Sequence, residues 1–212
     1  MTIKATSVLS ILAIWVASII AVAFEPDSWW LLIFTLLATG AVGASAWRRL
    51  GLSRLLAITG TWTGMALAAG SSSDATWVAI FAFLTTGAVV YSTMKRDAWL
   101  LGLGVATAWL ATGFVVLVHG GDASWVCVFA FLTAGAVANS HNDVMRGVAA
   151  TGWWVIAGVL ILVLGAGFAW FSVIAFILTM TSIGFGGFAF PKGLEWDLFD
   201  RDDDSERVKI VR

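Results

Sequence analysis

Eight apolar stretches, each close to 20 residues long, follow one another along this chain with only short polar segments between them. They cover approximately residues 6–24, 28–47, 52–70, 76–94, 98–118, 123–140, 147–165 and 168–190. A helix needs about 20 largely apolar residues to cross a hydrocarbon core about 30 Å thick. The sequence therefore predicts an all-α polytopic membrane protein with eight transmembrane helices. The loops are so short that consecutive helices must be antiparallel neighbours.

The overall composition excludes several classes of protein. Hydrophobic residues make up 60% of the 212 residues and charged residues only 12%, whereas soluble domains are about 25% charged. This low charge argues against a soluble enzyme and against a nucleic-acid-binding protein. The single cysteine, Cys127, cannot form a disulfide within the chain, which excludes a small secreted domain stabilised by disulfides.

The distribution of charge predicts an orientation. The basic residues all fall on one side of the eight-helix topology: Lys4, Arg48, Arg49, Arg54, Lys95, Arg96, Arg146, Lys192, Arg201, Arg207, Lys209 and Arg212. The opposite loops contain Glu25, Asp27, Asp74, Asp122 and His119 and no Lys or Arg. Under the positive-inside rule, this asymmetry predicts a multi-pass cell-membrane protein with both termini in the cytoplasm.

An internal repeat with a period of about 47 residues is the most informative pattern. Three even-numbered stretches open on related segments, Asp27-Ser28-Trp29-Trp30, Asp74-Ala75-Thr76-Trp77 and Asp122-Ala123-Ser124-Trp125. A fourth copy has diverged, with Trp170 in the place of Trp125 and Gly167 in the place of the aspartate, as is common for a terminal repeat.

The repeat divides the chain into four helical hairpins inserted in the same direction. We expect a transmembrane domain over 1–190, with hairpins at approximately 1–50, 51–97, 98–145 and 146–190, and a charged cytoplasmic tail over 191–212. Parallel repeats of this kind are related by an axis along the membrane normal.

The hairpin pattern resembles that of the SPW-repeat type of short-repeat membrane proteins. The resemblance rests on a Trp in the first helix, a short turn, and a second helix that opens on Trp. The Ser-Pro-Trp tripeptide itself does not occur, and the nearest segment is Pro26-Asp27-Ser28-Trp29. What the resemblance implies is the architecture over 1–190, and no activity.

The three repeated aspartates, Asp27, Asp74 and Asp122, lie where the N-caps of the even helices are expected. A carboxylate at an N-cap accepts hydrogen bonds from free backbone N–H groups and lies at the positive end of the helix dipole. The alternative is a ring of carboxylates at the outer mouth of a pore. Capping alone is sufficient to explain the residue type.

Four tryptophans, Trp15, Trp62, Trp109 and Trp154, occupy the middle of the odd stretches at matching spacing. An indole N–H near the bilayer centre needs a carbonyl or hydroxyl partner. One interpretation is a layer of rings packed in the interior. The other is a wall for an apolar ligand such as a lipid chain, a quinone or a carotenoid pigment; no other cofactor is indicated.

The even stretches share a face that we interpret as the packing seam between hairpins. Its glycines are Gly40, Gly87 and Gly135, each preceded at helical spacing by apolar residues: Ile33 and Leu36, Ile80 and Phe83, Val128 and Phe131. Small residues on such a face allow helices to approach closely in lipid. An aromatic residue also follows each opening Trp by four positions: Phe34, Phe81 and Phe129.

Chemically reactive residues are absent from the middle of every apolar stretch. No Asp, Glu, Lys, Arg or His falls there, although such residues mark ion and proton pathways. We therefore predict no catalytic or metal site, and a non-enzymatic scaffold or accessory subunit. Its partners would be membrane lipids, apolar pigments, and a second copy or another membrane protein. The alternative is a channel for a small neutral or weakly polar solute along the repeat axis.

Overall fold

The computed structural model describes residues 2–44, 51–92, 94, 98–140 and 144–184, and every regular element in them is helical. The α-helices are α1 (Thr2–Phe24), α2 (Leu31–Ala44), α3 (Leu52–Ala69), α4 (Val78–Tyr91), α5 (Trp99–His119), α6 (Val126–Ala138), α7 (Val144–Leu164) and α8 (Phe171–Gly184). The predicted all-α fold is confirmed. The predicted tail at 191–212 lies outside the described residues.

Several helical segments are apolar and long enough to cross a membrane. There are five of them in the described residues: Ala5–Phe24, Ser73–Tyr91, Trp99–His119, Gly121–Ala138 and Val144–Leu164. Two further apolar segments, Leu31–Ala44 and Ala166–Ser182, are shorter. The helix α3 is less apolar than its neighbours, since three threonines and two glycines lie between positions 59 and 64. These segments indicate a membrane-embedded helical protein.

A single turn of 3₁₀ helix joins each odd helix to the even helix that follows it. These four 3₁₀ turns are Pro26–Ser28, Ser73–Ala75, Gly121–Ala123 and Ala166–Phe168. The last two are entered through Gly120 and Gly165, whose φ angles are 79° and 100°. A glycine tolerates this left-handed conformation, and each of the two ends the preceding helix.

The helices form two layers. The odd layer contains α1, α3, α5 and α7, each packed against the next, and the even layer contains α2, α4, α6 and α8 in the same order. Contacts within each pair, such as α1 with α2, join the layers. The principal contacts of the described helices do not join α7 back to α1, so the arrangement is an open row.

Glycines set the close packing of the odd layer. A Cβ added at Gly102 would overlap the backbone of Ser53, and one added at Gly147 would overlap the backbone of Leu100. A Cβ on Gly113 would lie 2.5 Å from the carbonyl oxygen of Gly64. Contacting residues are thus 47 to 49 positions apart, so α3, α5 and α7 run parallel in nearly the same register.

The glycines predicted for the packing seam do not lie at contacts between helices. A Cβ built on Gly40, Gly87 or Gly135 meets no atom within 4 Å. Phenylalanine rings make the contact between neighbouring even helices, and rings of this size keep the backbones too far apart for a glycine to matter. Close approach through glycine occurs in the odd layer instead.

Candidate functional site

Three of the four central tryptophans are enclosed between the layers. The side chains of Trp62 and Trp109 are 0% exposed and that of Trp154 is 1% exposed, whereas Trp15 is half-buried. These three rings leave no face open to an external ligand. Their placement agrees with the packing interpretation and gives no support to the ligand-wall interpretation.

Threonine hydroxyls on the even helices accept the indole hydrogen bonds. The Nε1 atom of Trp62 donates to Oγ1 of Thr86 over 2.9 Å, and that of Trp154 donates to Oγ1 of Thr133 over 3.1 Å. The expectation of a hydroxyl partner is confirmed for these two rings. The partners are not the threonines close to the tryptophans in sequence: the immediate neighbours Thr61 and Thr63 project from other faces of α3, and Thr151, near Trp154, donates to the carbonyl oxygen of Gly147.

The third ring has no such partner. Nε1 of Trp109 and Oγ1 of Thr85 are both buried without a hydrogen-bond partner in the described part of the chain. When α4 and α6 are aligned on Gly87 and Gly135, Thr86 of α4 corresponds to Ala134 of α6, and Thr85 corresponds to Thr133. Trp109 therefore lacks the hydroxyl that Trp62 uses, because an alanine has replaced it.

Replacing Trp62 with phenylalanine should destabilise the protein more than replacing Trp109 in the same way. Both changes shrink a buried ring, but only Trp62→Phe also removes a hydrogen bond, worth about 1 kcal/mol net. Trp109→Phe removes an indole N–H that has no partner. The free energies of unfolding of the two variants, measured by detergent titration with circular dichroism, should differ by about that amount. An equal loss in both would contradict the assignment.

Aromatic rings link the even helices in a repeating pattern. Edge-to-face pairs at 5.6 to 5.8 Å join each opening Trp to the phenylalanine four residues later: Trp30–Phe34, Trp77–Phe81 and Trp125–Phe129. Each of these phenylalanines then contacts a ring on the next even helix at 5.6 to 6.0 Å: Phe34–Phe83, Phe81–Phe131 and Phe129–Phe176. The sequence pattern identified Phe83 and Phe131 as seam residues, and these contacts agree with it.

The second and third 3₁₀ turns, Ser73–Ala75 and Gly121–Ala123, are packed against each other. Nε1 of Trp77 donates to Oγ of Ser124 on the following turn over 3.1 Å. A Cβ added at Gly121 would lie 2.7 Å from Cβ of Asp74. The turns therefore follow one another in a row at one end of the molecule.

The capping role predicted for Asp27, Asp74 and Asp122 is not seen. Each aspartate lies inside a 3₁₀ turn and is exposed, while Glu25, Ser72 and Gly120 occupy the N-cap positions of those turns. No side-chain capping hydrogen bond is made at these turns, or at α4 and α6. The physical reason is the turn itself, which moves the start of the α-helix four residues beyond the aspartate.

An arginine is bound to the far end of α4. The half-buried guanidinium of Arg54 donates from Nε to the carbonyl oxygen of Val89 over 3.2 Å and from Nη2 to that of Ser92 over 2.9 Å. These carbonyls lie at the C-terminus of α4, where a positive charge is also favoured by the helix dipole. The contact ties the start of α3 to the end of α4.

Replacing Arg54 with alanine should lower the free energy of unfolding by about 1–3 kcal/mol, because charged hydrogen bonds and a dipole interaction are lost. Arg54→Lys should lower the free energy of unfolding by less, because lysine keeps the positive charge. Some loss should remain, because lysine cannot form both hydrogen bonds in the same geometry. Thermal unfolding in detergent measures both variants. Equal stability of the alanine variant and the parent protein would contradict the role of Arg54.

A groove that the sequence analysis did not identify lies on the outer face of the odd layer. It runs between α1 and α3, reaches Leu117 of α5, and has a volume of about 600 Å³. Its lining is almost entirely apolar, with Thr59 and Thr63 as the hydroxyl-bearing residues. A signal for it does exist in the sequence, since α3 has Leu55 and Ala66 at the two positions where α5 and α7 both carry a glycine.

The described residues include no group of three or more His, Cys, Asp or Glu side chains that could hold a metal ion. Within the same residues, every buried side chain that is polar by type is a serine or a threonine. The site therefore consists of buried rings with hydroxyl partners, an apolar groove, and a row of exposed carboxylates. No protein-family model, no curated protein and no solved structure matches this chain.

Proposed function

We propose that this chain is a scaffold or accessory subunit of the cell membrane, without enzymatic activity, built from four parallel hairpins that span the bilayer eight times. Its apolar outer surface binds lipids, apolar pigments or partner helices. The observation that carries the proposal is the open row of helices with its interior filled by Trp62, Trp109 and Trp154. Such a molecule offers binding surface on its outside.

Recurring contacts support the four-hairpin architecture. The ring pairs of the even layer repeat with the same geometry from one helix to the next. The glycine contacts of the odd layer recur at sequence offsets of 47 to 49 positions. Equivalent contacts at equivalent positions are what stacked copies of one structural unit produce.

The charged residues support the orientation. Asp74 and Asp122 lie in 3₁₀ turns at one end of the odd layer, whereas Arg54 and Arg146 lie near the first residues of α3 and α7, at the opposite end. Basic residues concentrate on the cytoplasmic side of membrane proteins. We therefore assign the acidic turns to the outside and both termini to the cytoplasm.

Exposed apolar side chains support binding on the outer surface. On α1 they include Leu12 and Val16, which are 53% and 54% exposed, and on α7 they include Val159 and Val163, at 53% and 76%. In a membrane protein such a surface contacts acyl chains or neighbouring helices. It covers both ends of the row as well as its sides.

The channel alternative has less support. A path along the repeat axis would have to be enclosed by the hairpins, but the principal helix contacts in the described residues form a row. Asp27, Asp74 and Asp122 are exposed, and the row places them along a line. This placement does not form a ring of carboxylates around the mouth of a pore.

Topology is tested by labelling introduced cysteines in a Cys127→Ser background. With a maleimide that does not cross membranes, Ser73→Cys should react from the outside, and Lys95→Cys should react only after the cells are opened. Labelling of both positions from the same side would overturn the hairpin arrangement.

Function is tested in liposomes and in detergent. We expect no flux of glycerol or urea above that of protein-free liposomes, and no difference when Asp27, Asp74 and Asp122 are all replaced by asparagine. We also expect the purified protein to retain lipid, or to self-associate, when measured by mass spectrometry and sedimentation. Solute flux that the triple variant abolishes would overturn the scaffold proposal in favour of a channel.

A further inference from the structure

The groove between α1 and α3 is shaped for a chain-like molecule. On α1 it extends from Leu9 to Phe24, a separation of fifteen residues that corresponds to about 22 Å along a helix. Small side chains, Ala13, Ala17 and Ala66, are among the residues that line it. A groove of about 600 Å³ falls within the size range of small-molecule sites, about 300–1,000 Å³.

A loss of glycines explains why the groove lies at this helix pair. The helices α5 and α7 each carry two glycines, eleven residues apart, that contact the preceding odd helix: Gly102, Gly113, Gly147 and Gly158. Counted from the central tryptophan, the corresponding residues of α3 are Leu55 and Ala66. Neither residue leaves the free space beside its Cα that a glycine leaves for a neighbouring backbone, and Ala66 lines the groove.

The charge at one end of the groove indicates the chemistry of its occupant. The groove ends at Phe24 and Gly70, beside the 3₁₀ turns, and Glu25 follows directly after Phe24. Glu25 is half-buried, and its carboxylate makes no hydrogen bond or ion pair within the described part of the chain. The nearby turns add Asp27 and Asp74 and no basic residue. This end is complementary to a positive charge, whereas the rest of the groove is complementary to a hydrocarbon chain.

We propose that the groove holds one acyl chain of a zwitterionic phospholipid whose primary ammonium headgroup lies beside Glu25, as in phosphatidylethanolamine. The proposal rests on the proposed function, since it requires the groove to lie within the bilayer. The proposal assigns lipid binding to the groove between α1 and α3 and to one class of headgroup. An anionic lipid is disfavoured there, because its phosphate would lie among carboxylates with no basic group to offset it.

Native mass spectrometry of the full chain tests the proposal. The protein is reconstituted with equal amounts of phosphatidylethanolamine and phosphatidylglycerol and then released for measurement. We expect one phosphatidylethanolamine to be retained about fivefold more often than phosphatidylglycerol, a preference of the size that one partly exposed charge pair provides.

Two kinds of variant distinguish the site of the acyl chain from the site of the headgroup. Ala13→Leu and Thr63→Leu place extra atoms in the groove at side chains that are half-buried or exposed, and both should lose the retained lipid. Glu25→Gln should keep a bound lipid but lose the preference for phosphatidylethanolamine. Gly152→Leu is the control, because Gly152 is exposed on α7 with no atom within 4 Å of an added Cβ; it should behave as the parent protein.

The outcomes distinguish this inference from the proposed function. Lipid retained equally in Ala13→Leu, Thr63→Leu and Gly152→Leu would overturn the groove site, and the scaffold proposal would stand. A preference for phosphatidylglycerol, or occupation of the groove by a second copy detected by crosslinking, would also overturn it. Solute flux through the parent protein would overturn the scaffold proposal whether or not the groove holds a lipid. Unfolding curves in detergent confirm that each variant is folded.

Discussion

Replacing Gly147 with valine is expected to lower the free energy of unfolding by about 3 kcal/mol or more, because the added atoms have no space. A Cβ at this position overlaps the backbone of Leu100 and lies 2.7 Å from the nitrogen of Leu101. Backbone atoms cannot turn away as a flexible side chain can, so α7 must move off α5. Detergent-induced unfolding, followed by tryptophan fluorescence, measures the loss.

Gly135→Val is the matched control for this change. Gly135 lies in α6, where an added Cβ meets no atom within 4 Å. Valine is also a better helix former than glycine by a few tenths of a kcal/mol. The control should therefore stay within about 0.5 kcal/mol of the parent protein. A similar loss in both variants would mean that the odd helices are not held together at Gly147.

The second large effect is expected for Trp62→Ala, which should lower the free energy of unfolding by about 3–5 kcal/mol. The indole of Trp62 is 0% exposed and bonds to Thr86, so its removal leaves a large cavity between the layers. The remaining hydroxyl of Thr86 still donates to the carbonyl oxygen of Ala82 over 2.9 Å. Most of the loss therefore comes from the cavity and lost packing.

Trp29→Ala provides the comparison for Trp62→Ala. The side chain of Trp29 is 64% exposed beside the first 3₁₀ turn, and its removal should change the free energy of unfolding by less than about 1 kcal/mol. Both variants remove the same side chain, and only its burial differs. If Trp62→Ala were no more destabilising than Trp29→Ala in detergent unfolding, the two-layer packing would be wrong.

Helices and turns could be predicted because they depend on local sequence. Apolar stretches of sufficient length give the helices, and polar segments such as Glu25-Pro26-Asp27 give the turns between them. The sequence shows a phenylalanine four residues after each opening Trp, and the structure brings such rings into contact, as in Trp77–Phe81. Rings four positions apart on one helix lie on the same face whatever surrounds them.

The packing faces could not be predicted with the same success. In lipid, the residues that face the bilayer are as apolar as the residues that face another helix, so polarity does not show which glycine lies at a contact. Gly87 and Gly102 look alike in sequence, yet only Gly102 contacts a neighbouring backbone. The contact is set by how two whole helices align, and this alignment depends on residues 49 positions away, such as Ser53.

The partners of the central tryptophans show the same limit. A threonine next to the ring in sequence, such as Thr61, cannot reach the indole N–H, whereas Thr86 can because α4 crosses it from the other layer. The groove is a similar case, since it lies beside α3, where Leu55 and Ala66 stand at the positions that are glycines in α5 and α7. The structural effect of such sequence differences depends on which helices are neighbours in the fold.

The open row has a consequence for how the molecule comes apart. The principal contacts of each helix are with its own hairpin partner and with the next helix of its layer, so the loss of a terminal pair leaves the contacts among the others intact. In assemblies of this kind, stability is close to a sum over units and their borders. A force that pulls one end out of the bilayer would therefore extract the chain in discrete steps, one hairpin after another.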